Sequence, residues 1–433
     1  MIDEDQICIV GLGYVGLTLG IAFANVGIRV YGAEINPIVL KSLSKNEAHF
    51  SETGINDVLV EVVSNGYFKF GSSIPQDNQF SFFIITVGTP LGEDGKPRID
   101  MIKNAAQEVA SRMNDGSTVI LRSTVAVSTT RDIVDPILKK SNKKYSLAMC
   151  PERTLEGNAL YELRHLPQII GANEKAVSES CAKLFSNLTE KTIIAKSWEE
   201  AEIIKLVDNT SRDLSFAFAN EISEICRRFN VDVYNVIEKG QTDYSRTKLS
   251  LPGPVGGPCL EKDPHILSFS AKQRGFAPLI TEACRKMNES QMSHIYLELI
   301  NGLSKRNIKN PSFLLAGIAF KGKPETDDLR GSMAIKFLNI LKENSYRVHL
   351  FDPIVSLEDL KSYSDFVVED LFRSSRKFDC IVIFNNHSFF ESLHYKDLNT
   401  LLSEKGLVFD FWNSIKQTEK QDNFFNLGNI FKL

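Results

Sequence analysis

One cysteine of this chain lies where a regular core is hard to build. Residues 252–265 read PGPVGGPCLEKDPH, with Cys259 among prolines and glycines and Lys262, Asp263 and His265 just behind it. Prolines and glycines disfavour both helix and strand, so this thiol differs from the cysteines that fill cores as small hydrophobic groups. A thiolate is a strong nucleophile, which makes Cys259 the first candidate for covalent chemistry.

Three glycines follow the first apolar strand. The strand Ile7–Val10 runs directly into Gly11-x-Gly13-x-x-Gly16, and a helical apolar pattern comes next. In such a unit the first glycine permits a tight turn, the second lets the backbone approach a pyrophosphate, and the third lets helix and strand pack closely. The pyrophosphate would sit at the helix N-terminus, where free N–H groups favour anions. The cofactor candidates in this turn are Gly11, Gly13, Tyr14, Val15 and Gly16.

A carboxylate follows the second strand. Glu34 comes just after the strand Arg29–Gly32. A carboxylate at this position accepts hydrogen bonds from the ribose hydroxyls of the cofactor and repels a 2′-phosphate, which favours NAD over NADP. FAD uses a similar glycine pattern and is the weaker alternative.

Further strands continue the alternation of the N-terminal part. They are predicted within 80–90, 117–125 and 145–152. Ligands of such sheets bind beyond the carboxyl ends of the strands. This places Thr89, Thr124 and the turn 150–153 on the cofactor side.

The middle of the chain is helical. Ser197 and Glu200 form a capping-box pattern, and one helix of about 33 residues, or two with a bend, is predicted to follow. Helical spacing resumes over 276–307, so two long helices form a spine and a surface for a homodimer. Lys205 and Asn209 are four residues apart and point from one helix face. Taken alone, Lys205 is typical of a solvated helix lysine.

The C-terminal part alternates again, with strands predicted at 312–320, 346–352, 378–384 and 406–412 and a helix at about 332–344. The expected fold is therefore α/β, with two Rossmann-like doubly wound domains joined by a central long-helix domain. The predicted boundaries are 1–196, 197–308 and 309–433. The second Rossmann-like domain has no GxGxxG, and Lys321 and Arg330 are its candidate phosphate-binding cations.

Composition excludes several classes of protein. The net charge of −4 gives no basic footprint for nucleic acid or an anionic membrane. No apolar run approaches the roughly 20 residues of a membrane helix. The N-terminus lacks a signal-peptide pattern. The seven scattered cysteines fit a reducing cytoplasm, and without CxxC or HExxH no metal site is expected.

Seven blocks of the chain, taken together, resemble the UDP-sugar/GDP-mannose dehydrogenase family over nearly the whole length. They are VGLGYVGL (10–17), VGTP (87–90), RSTV (122–125), CPERTLEG (150–157), EAEIIKLVDNTSR (200–212), PGPVGGPCLEKDP (252–264) and FKGKPETDDLRGS (320–332). The resemblance implies an NAD-binding Rossmann domain, a central helical dimerisation domain and a C-terminal domain that holds the nucleotide. It also implies oxidation of a sugar C6 alcohol to a carboxylate with two NAD⁺, through a thiohemiacetal and a thioester on Cys259.

The resemblance also implies roles for other catalytic residues. Lys205 and Asn209 are expected to reach the C6 oxygen, and Asp263 to hold a water or the Lys205 ammonium. Glu152 is expected to act as general base or to position the hydrolytic water, with Glu156 and Thr124 supporting it. The order of proton transfers stays open, because the pKa values of such groups are coupled.

Substrate and cofactor contacts follow in the same way. Arg246 is expected to bond substrate oxygens from the partner subunit, Lys321 to meet the nucleotide, and Arg330 to lie on the NAD side. The remaining substrate candidates are Glu152, Arg153, Glu156, Lys205, Asn209, Arg212, Pro252, Gly253, Gly256 and Gly257.

Departures from the commoner family pattern bear on the sugar. Arg153 stands where UDP-glucose and GDP-mannose dehydrogenases have an aromatic residue, which is similar to the branch acting on UDP-N-acetylmannosamine or UDP-N-acetylglucosamine. Pro258 replaces a usual histidine, and the FKGKPETDDLR segment is two residues longer than the short form. UDP-glucose 6-dehydrogenase therefore stays an alternative. A two-electron hydroxyacid-type dehydrogenase needs neither Cys259 nor a second α/β domain, and a silent NAD-binding regulator would not need the catalytic set.

Overall fold

The structure is a computed structural model that describes residues 6–77, 79–373, 376–416 and 421–433. The chain forms two compact units. The first unit comprises residues 1–208 and 265–277, and the second comprises 209–264 and 278–433. The three domain boundaries expected from the sequence remain a prediction. Within the described ranges, no helix has both the length and the apolar character that crossing a membrane requires.

A largely parallel sheet forms the core of the first unit. Its strands in the described residues are β1 (Gln6–Val10), β2 (Arg29–Ala33), β3 (Phe68–Gly71), β4 (Phe82–Ile85), β5 (Ser117–Leu121), β6 (Tyr145–Met149), β7 (Gln168–Gly171) and β8 (Thr192–Ala195). The spatial order is β3-β2-β1-β4-β5-β6-β7-β8, and β6 and β7 pair antiparallel. The order reverses beside β1, which in doubly wound sheets creates the ligand crevice. The predicted strands are confirmed, whereas the short β3, β7 and β8 were not foreseen.

Helices cover this sheet. They are α1 (Tyr14–Asn25), α2 (Pro37–Leu43), α3 (Ile55–Ser64), α4 (Asp100–Arg112), α5 (Asp135–Lys139), which follows a π-helical turn at Thr130–Val134, α6 (Ala159–His165) and α7 (Lys175–Phe185). Helix α1 is buried without a break from Gly16 to Ala24, because its sequence is apolar or small on every side. This burial fixes the N-terminus of α1 beside the glycine turn.

Four further helices make up the helical middle: α8 (Trp198–Arg228), α9 (Val233–Gln241), α10 (Asp263–Gln273) and α11 (Leu279–Lys305). Helix α8 is continuous over 31 residues, close to the predicted length. Its cap differs slightly from the predicted box. Ser197 Oγ accepts from Glu200 N at 3.2 Å, but the Glu200 carboxylate accepts from Lys196 N at 2.6 Å instead of from Ser197 N.

The second unit contains a parallel sheet of its own. Its described strands are β9 (Ser312–Ala316), β10 (Arg347–Phe351), β11 (Phe378–Ile383), β12 (Leu402–Asp410) and β13 (Phe424–Phe425), in the order β10-β9-β11-β12-β13. Its helices are α12 (Met333–Glu343), α13 (Leu357–Lys361), α14 (Ser388–Ser392) and α15 (Tyr395–Asn399). The order again reverses beside β9, so the α/β class with two Rossmann-like sheets and long central helices is confirmed.

Candidate active site

The glycine turn after β1 has the shape that dinucleotide binding needs. Gly11 adopts a φ of 92°, a conformation that other residues rarely take. A Cβ on Gly16 would lie 1.9 Å from the Gly11 carbonyl oxygen, so only glycine lets α1 pack this close. A Cβ on Gly13 would meet nothing within 4 Å, which leaves open space above the N-terminus of α1. Exposed N–H groups at a helix start suit a pyrophosphate.

Glu34 lies at the end of β2, beside this turn. Its carboxylate accepts a hydrogen bond from Leu12 N at 2.6 Å and another from Asn36 N at 2.8 Å. These contacts hold the acid in place at the crevice edge. A carboxylate has further lone pairs, which can accept hydrogen bonds from the ribose hydroxyls of a dinucleotide.

Tyr14 joins the glycine turn to the segment after β6. Its hydroxyl donates to Glu52 and accepts from Gly157 N at 3.1 Å. The Glu52 carboxylate also accepts from Gly157 N and Ala159 N, at 2.7 and 2.8 Å. Burial and the Glu52 carboxylate raise the pKa of Tyr14 far above its ordinary value, so the hydroxyl stays a donor. Half-buried Glu156, the neighbour of Gly157, is thus held near the cofactor turn.

An ion pair occupies the carboxyl ends of β5 and β6. Arg122 is 1% exposed and donates to Glu152 through Nε at 3.1 Å and through Nη2. Its Nη1 donates to Cys150 O at 3.1 Å and to Gln168 Oε1 at 2.8 Å. Arg122 was not foreseen as a functional residue. Its signals in the sequence were a cation directly after an apolar strand and its place at the start of the RSTV block.

The pair decides the charge of Glu152. Burial pushes the pKa of Glu152 upward, but the Arg122 charge and the N–H donors of Thr154 and Arg153 outweigh it, and the pKa lies below its ordinary value. Oε1 accepts from Arg153 N and Thr154 N at 2.7 and 2.9 Å. A carboxylate that is ionised and occupied on both oxygens is a weak proton acceptor. This geometry weighs against a general base, and the role of Glu152 in positioning a water stays a prediction.

Other candidates lie around the same edge. Thr89 Oγ1 donates to Thr124 O, which ties the loops after β4 and β5 together. The Arg153 guanidinium donates to Asp208 Oδ2 at 3.3 Å and to Pro167 O at 2.8 Å, so it is already hydrogen-bonded within the first unit.

Lys205 is buried, with 7% of its surface exposed. Taken alone, Lys205 was expected to be a solvated helix lysine, and this expectation is wrong. Helical spacing does not reveal which face of a long helix other elements cover. A buried ammonium is costly unless a partner or a function requires it.

Glu202, one turn before Lys205, holds the turn that follows Thr124. Its carboxylate accepts from Ser128 N at 2.6 Å, and from Thr130 N and Oγ1 at 2.9 and 2.6 Å. Burial raises the pKa of Glu202 to about 7, although these donors oppose the rise. The sequence analysis did not single out this residue.

The second unit holds Cys259 and its neighbours. The thiol side chain is exposed. Lys262 N and Asp263 N donate to Cys259 O at 3.2 and 2.9 Å, so the cysteine forms the turn that starts α10. The fully buried Asp263 accepts from Asn209 Nδ2 and from Lys262 Nζ, each at 2.6 Å. Asn209 is thus oriented by a carboxylate that accepts one of its two amide N–H groups.

The glycines of the cysteine loop have packing partners within the protein. A Cβ on Gly253 would lie 2.7 Å from the Trp412 ring, and one on Gly256 would lie 2.1 Å from the Gly331 carbonyl oxygen. Gly257 has a φ of 92°, and its Cβ would lie 2.5 Å from the Phe320 ring. These glycines therefore let the cysteine loop pack closely against loops of the C-terminal sheet. Approach to a substrate stays a prediction.

The cationic candidates of the second unit are mostly exposed. The Arg246 guanidinium lies 4.8 Å from the Tyr244 ring centroid, and Lys321 Nζ lies 5.2 Å from that of Phe320. Arg330 pairs with Asp328 at 2.6 Å, and Arg212 is exposed on α8. Phe320 packs against Gly257, and Lys321 is the next residue in the chain.

Models of known protein families match most of the chain, including the candidate residues described above. Models of the UDP-glucose/GDP-mannose dehydrogenase family match residues 5–189 as its NAD binding domain, 199–290 as its central domain and 314–417 as its UDP binding domain. The chain belongs to this family. It is accordingly an oxidoreductase, a nucleotide-sugar dehydrogenase that uses NAD.

Individual relatives in the family are similar over their full length. The UDP-N-acetyl-D-mannosamine dehydrogenase of Pyrococcus horikoshii is 32% identical, over 95% of this chain and 96% of that one. The structure of a UDP-D-ManNAc dehydrogenase from the same organism has a TM-score of 0.88 at 29% identity, covering 98% of this chain and 100% of that one. The UDP-N-acetyl-D-glucosamine 6-dehydrogenase of Salmonella typhi is 28% identical, over 94% and 96%.

The family domains divide the candidates as the resemblance implied. The NAD binding domain contains the glycine turn and Glu34, and the central domain contains Lys205, Asn209 and Cys259. The residues of the turn suit NAD: an open helix N-terminus for the pyrophosphate and a held carboxylate for the ribose.

Proposed function

We propose that this dehydrogenase oxidises the C6 alcohol of a UDP-N-acetylhexosamine, either UDP-N-acetylmannosamine or UDP-N-acetylglucosamine, to the uronic acid. The observation that carries the proposal is an exposed thiol, Cys259, on a loop fixed by its own glycines and followed by the buried Asp263–Asn209 pair. The names of the similar proteins support the sugar class. A two-electron alcohol oxidation has no use for such a thiol.

The chemistry that NAD supplies is acceptance of one hydride from C6 in each of two steps. After the first step the C6 aldehyde carbon is attacked by the Cys259 thiolate, and a C–S bond forms. The thiohemiacetal carries the hydrogen that leaves in the second step, and the product is a thioester. Water then adds to the thioester carbonyl and the C–S bond breaks, which releases the carboxylate and regenerates the thiol.

The other residues act on oxygen charge and on water. Lys205 and Asn209 are proposed to bind the C6 oxygen, where a cation and an amide stabilise an alkoxide and then an oxyanion. Asp263 accepts one N–H of Asn209 Nδ2, and the second N–H of this amide is the donor proposed for the C6 oxygen. Glu152, Glu156 and Thr124 are proposed to position the hydrolytic water, with Glu152 kept anionic by Arg122.

Binding of the UDP-sugar is assigned to the cysteine loop and nearby cations. We assign Lys321 to the nucleotide and Arg246, from a partner subunit, to substrate oxygens. Arg153, Arg212, Pro252, Gly253, Gly256 and Gly257 complete the proposed substrate set, and Arg330 is assigned to the NAD side. Exposed apolar side chains support a homodimer through the long helices: Phe218, Ile225 and Phe229 are spaced by seven and four residues and are 51%, 46% and 76% exposed. Cytoplasmic location and a role in making surface polysaccharide precursors complete the proposal.

The test measures NADH formed per molecule of sugar nucleotide. Limiting UDP-N-acetylmannosamine, UDP-N-acetylglucosamine, UDP-N-acetylgalactosamine and UDP-glucose are used in turn, with Cys259→Ala. Half-buried Cys284 provides a matched control variant, Cys284→Ala, in the same unit. We expect two NADH from an N-acetylhexosamine, loss of this yield in Cys259→Ala, and the wild-type yield in the control.

Other results would redirect the proposal. Two NADH from UDP-glucose alone would establish the alternative substrate. One NADH per sugar, unchanged in Cys259→Ala, would make the protein a simple alcohol dehydrogenase.

A further inference from the structure

A buried polar network lies between α8 and α11 in the second unit. Its members are Asp213, Asn220, Arg285, Asn288 and Gln291, which are 0%, 2%, 2%, 0% and 7% exposed. None of them has a role in the chemistry proposed above. Polar side chains are rarely buried this completely unless their hydrogen bonds are needed.

One end of the network binds the start of the cysteine loop. Gly253 N donates to Asn220 Oδ1 at 2.9 Å, and Asn220 Nδ2 donates to Gly253 O at 3.1 Å. The side-chain amide thus pairs with both backbone groups of one residue, as a neighbouring strand would. Gln291 Nε2 supports the arrangement by donating to Asn220 Oδ1 at 2.7 Å.

The other end binds the residue after the nucleophile. Arg285 Nη1 donates to Leu260 O at 2.7 Å and to Asp213 Oδ1 at 2.6 Å. Leu260 follows Cys259 directly, so this bond acts one peptide away from the thiol.

Asn288 connects the two ends. Its Oδ1 accepts from Asn220 Nδ2 at 3.0 Å, and its Nδ2 donates to Asp213 Oδ1 at 2.8 Å and to Asp213 O at 3.0 Å. A continuous path of hydrogen bonds therefore runs from Gly253 through α8 and α11 to Leu260. We call this path the loop clamp.

The loop needs such a clamp because it has no ladder of its own. Residues 251–256 belong to neither helix nor strand. Their backbone groups must find partners elsewhere when they are buried. The clamp supplies partners for the backbone of Gly253 and for the Leu260 carbonyl from two helices, and rigid elements place reactive groups more accurately than a free loop does.

We propose that Asn220 and Arg285 are positioning residues for Cys259, acting through the two ends of its loop. The inference rests on the proposed function, because it concerns the thiol's attack on the C6 aldehyde. The first hydride transfer does not involve the thiol, whereas the second requires it. A displaced thiol therefore releases aldehyde after one NADH, while general destabilisation reduces both steps together.

The test uses Arg285→Lys and Asn220→Ser, which disturb opposite ends of the clamp. Glu289→Gln is the control, because it removes the other ion pair of Arg285, at 3.3 Å to an exposed carboxylate, without touching the loop. The readouts are NADH per sugar, aldehyde trapped with hydroxylamine, and amide hydrogen exchange of the peptide that spans 250–262. Fluorescence of Trp412 in a Trp198→Phe background, which concerns the second unit, reports that each variant is folded.

The expected result is specific to the second step. In both clamp variants the NADH yield falls from two towards one, trapped aldehyde accounts for the difference, and hydrogen exchange rises over 250–262. The second oxidation slows by about 10- to 100-fold, the scale of a displacement near 1 Å. Glu289→Gln keeps the wild-type yield and exchange.

Two outcomes would overturn the inference. One is a yield that stays at two while the overall rate falls, which is the behaviour of a purely structural network. The other is unchanged exchange of the loop. If the wild-type enzyme itself makes one NADH, the proposed function fails, whereas the exchange data still decide whether the clamp holds the loop. If Trp412 fluorescence shows that one variant is unfolded, the variant at the opposite end decides.

Discussion

Replacing Arg122 by methionine tests whether Glu152 is held as a buried anion. The two side chains are 1% and 10% exposed, and Arg122 also donates to Cys150 O and Gln168 Oε1. Removing the cation leaves an unpaired carboxylate in a buried site, which costs about 3–5 kcal/mol of unfolding free energy. We expect a loss of this size for Arg122→Met at pH 7.

The magnitude is checked by a double-mutant cycle with Glu152→Gln. The double variant has lost both charges of this pair, so it should be more stable than the sum of the single losses predicts, by about 2 kcal/mol. The sign of the pH dependence follows from the lowered pKa of Glu152. The pair stabilises the protein above the ordinary carboxyl pKa, and this contribution is lost as the pH falls through the folded value.

The assay exploits the two tryptophans, one in each unit: Trp198 in the first and Trp412 in the second. In a Trp412→Phe background, fluorescence during urea unfolding reports the unit that contains the pair. Lys139→Met, which removes the exposed Lys139–Asp135 pair, is the matched control, with an expected loss below about 1 kcal/mol. Additive losses in the cycle, or a cost of Arg122→Met no larger than that of the control, would refute the reasoning.

Three further predictions concern other parts of the protein. Gly253→Ala should lower the stability of the second unit by about 1–3 kcal/mol, because its Cβ would meet the Trp412 ring at 2.7 Å. Thermal unfolding should show a smaller loss of stability from Gly253→Ala in a Trp412→Leu background. Equal losses in both backgrounds would contradict the prediction. Glu202→Gln should flatten the pH dependence of the unfolding free energy. In the wild type this free energy should fall by up to about 3 kcal/mol as the pH rises from the ordinary carboxyl pKa near 4.5 to the folded pKa of about 7, because the folded state keeps the proton to higher pH. Urea titrations from pH 4 to 8 that give the same pH dependence in both proteins would exclude it. Glu34→Ala should reduce the preference for NAD over NADP by at least about tenfold, because a repelling charge beside the ribose is lost; initial rates with both cofactors measure the ratio, and an unchanged ratio would remove Glu34 from cofactor selection.

Local signals were enough for much of the fold. Glycine spacing after an apolar strand predicted the dinucleotide turn, because the positive φ of Gly11 and the close contact of Gly16 with the Gly11 carbonyl oxygen are local features. Alternating apolar runs predicted most strands, and uninterrupted helical spacing predicted α8. Short strands such as β3 and β8 were missed, since four residues carry too little periodicity.

The sequence by itself determined which residue types are present for the chemistry: the thiol of Cys259, the amide of Asn209 and the carboxylates of Asp263 and Glu152. Only the tertiary structure decided their surroundings. It buried Lys205, paired Glu152 with Arg122 thirty residues earlier in the chain, and joined Gly253 to Leu260 through α8 and α11. The physical reason is that charge state, burial and position depend on contacts between residues far apart in the chain, and no local period records those contacts.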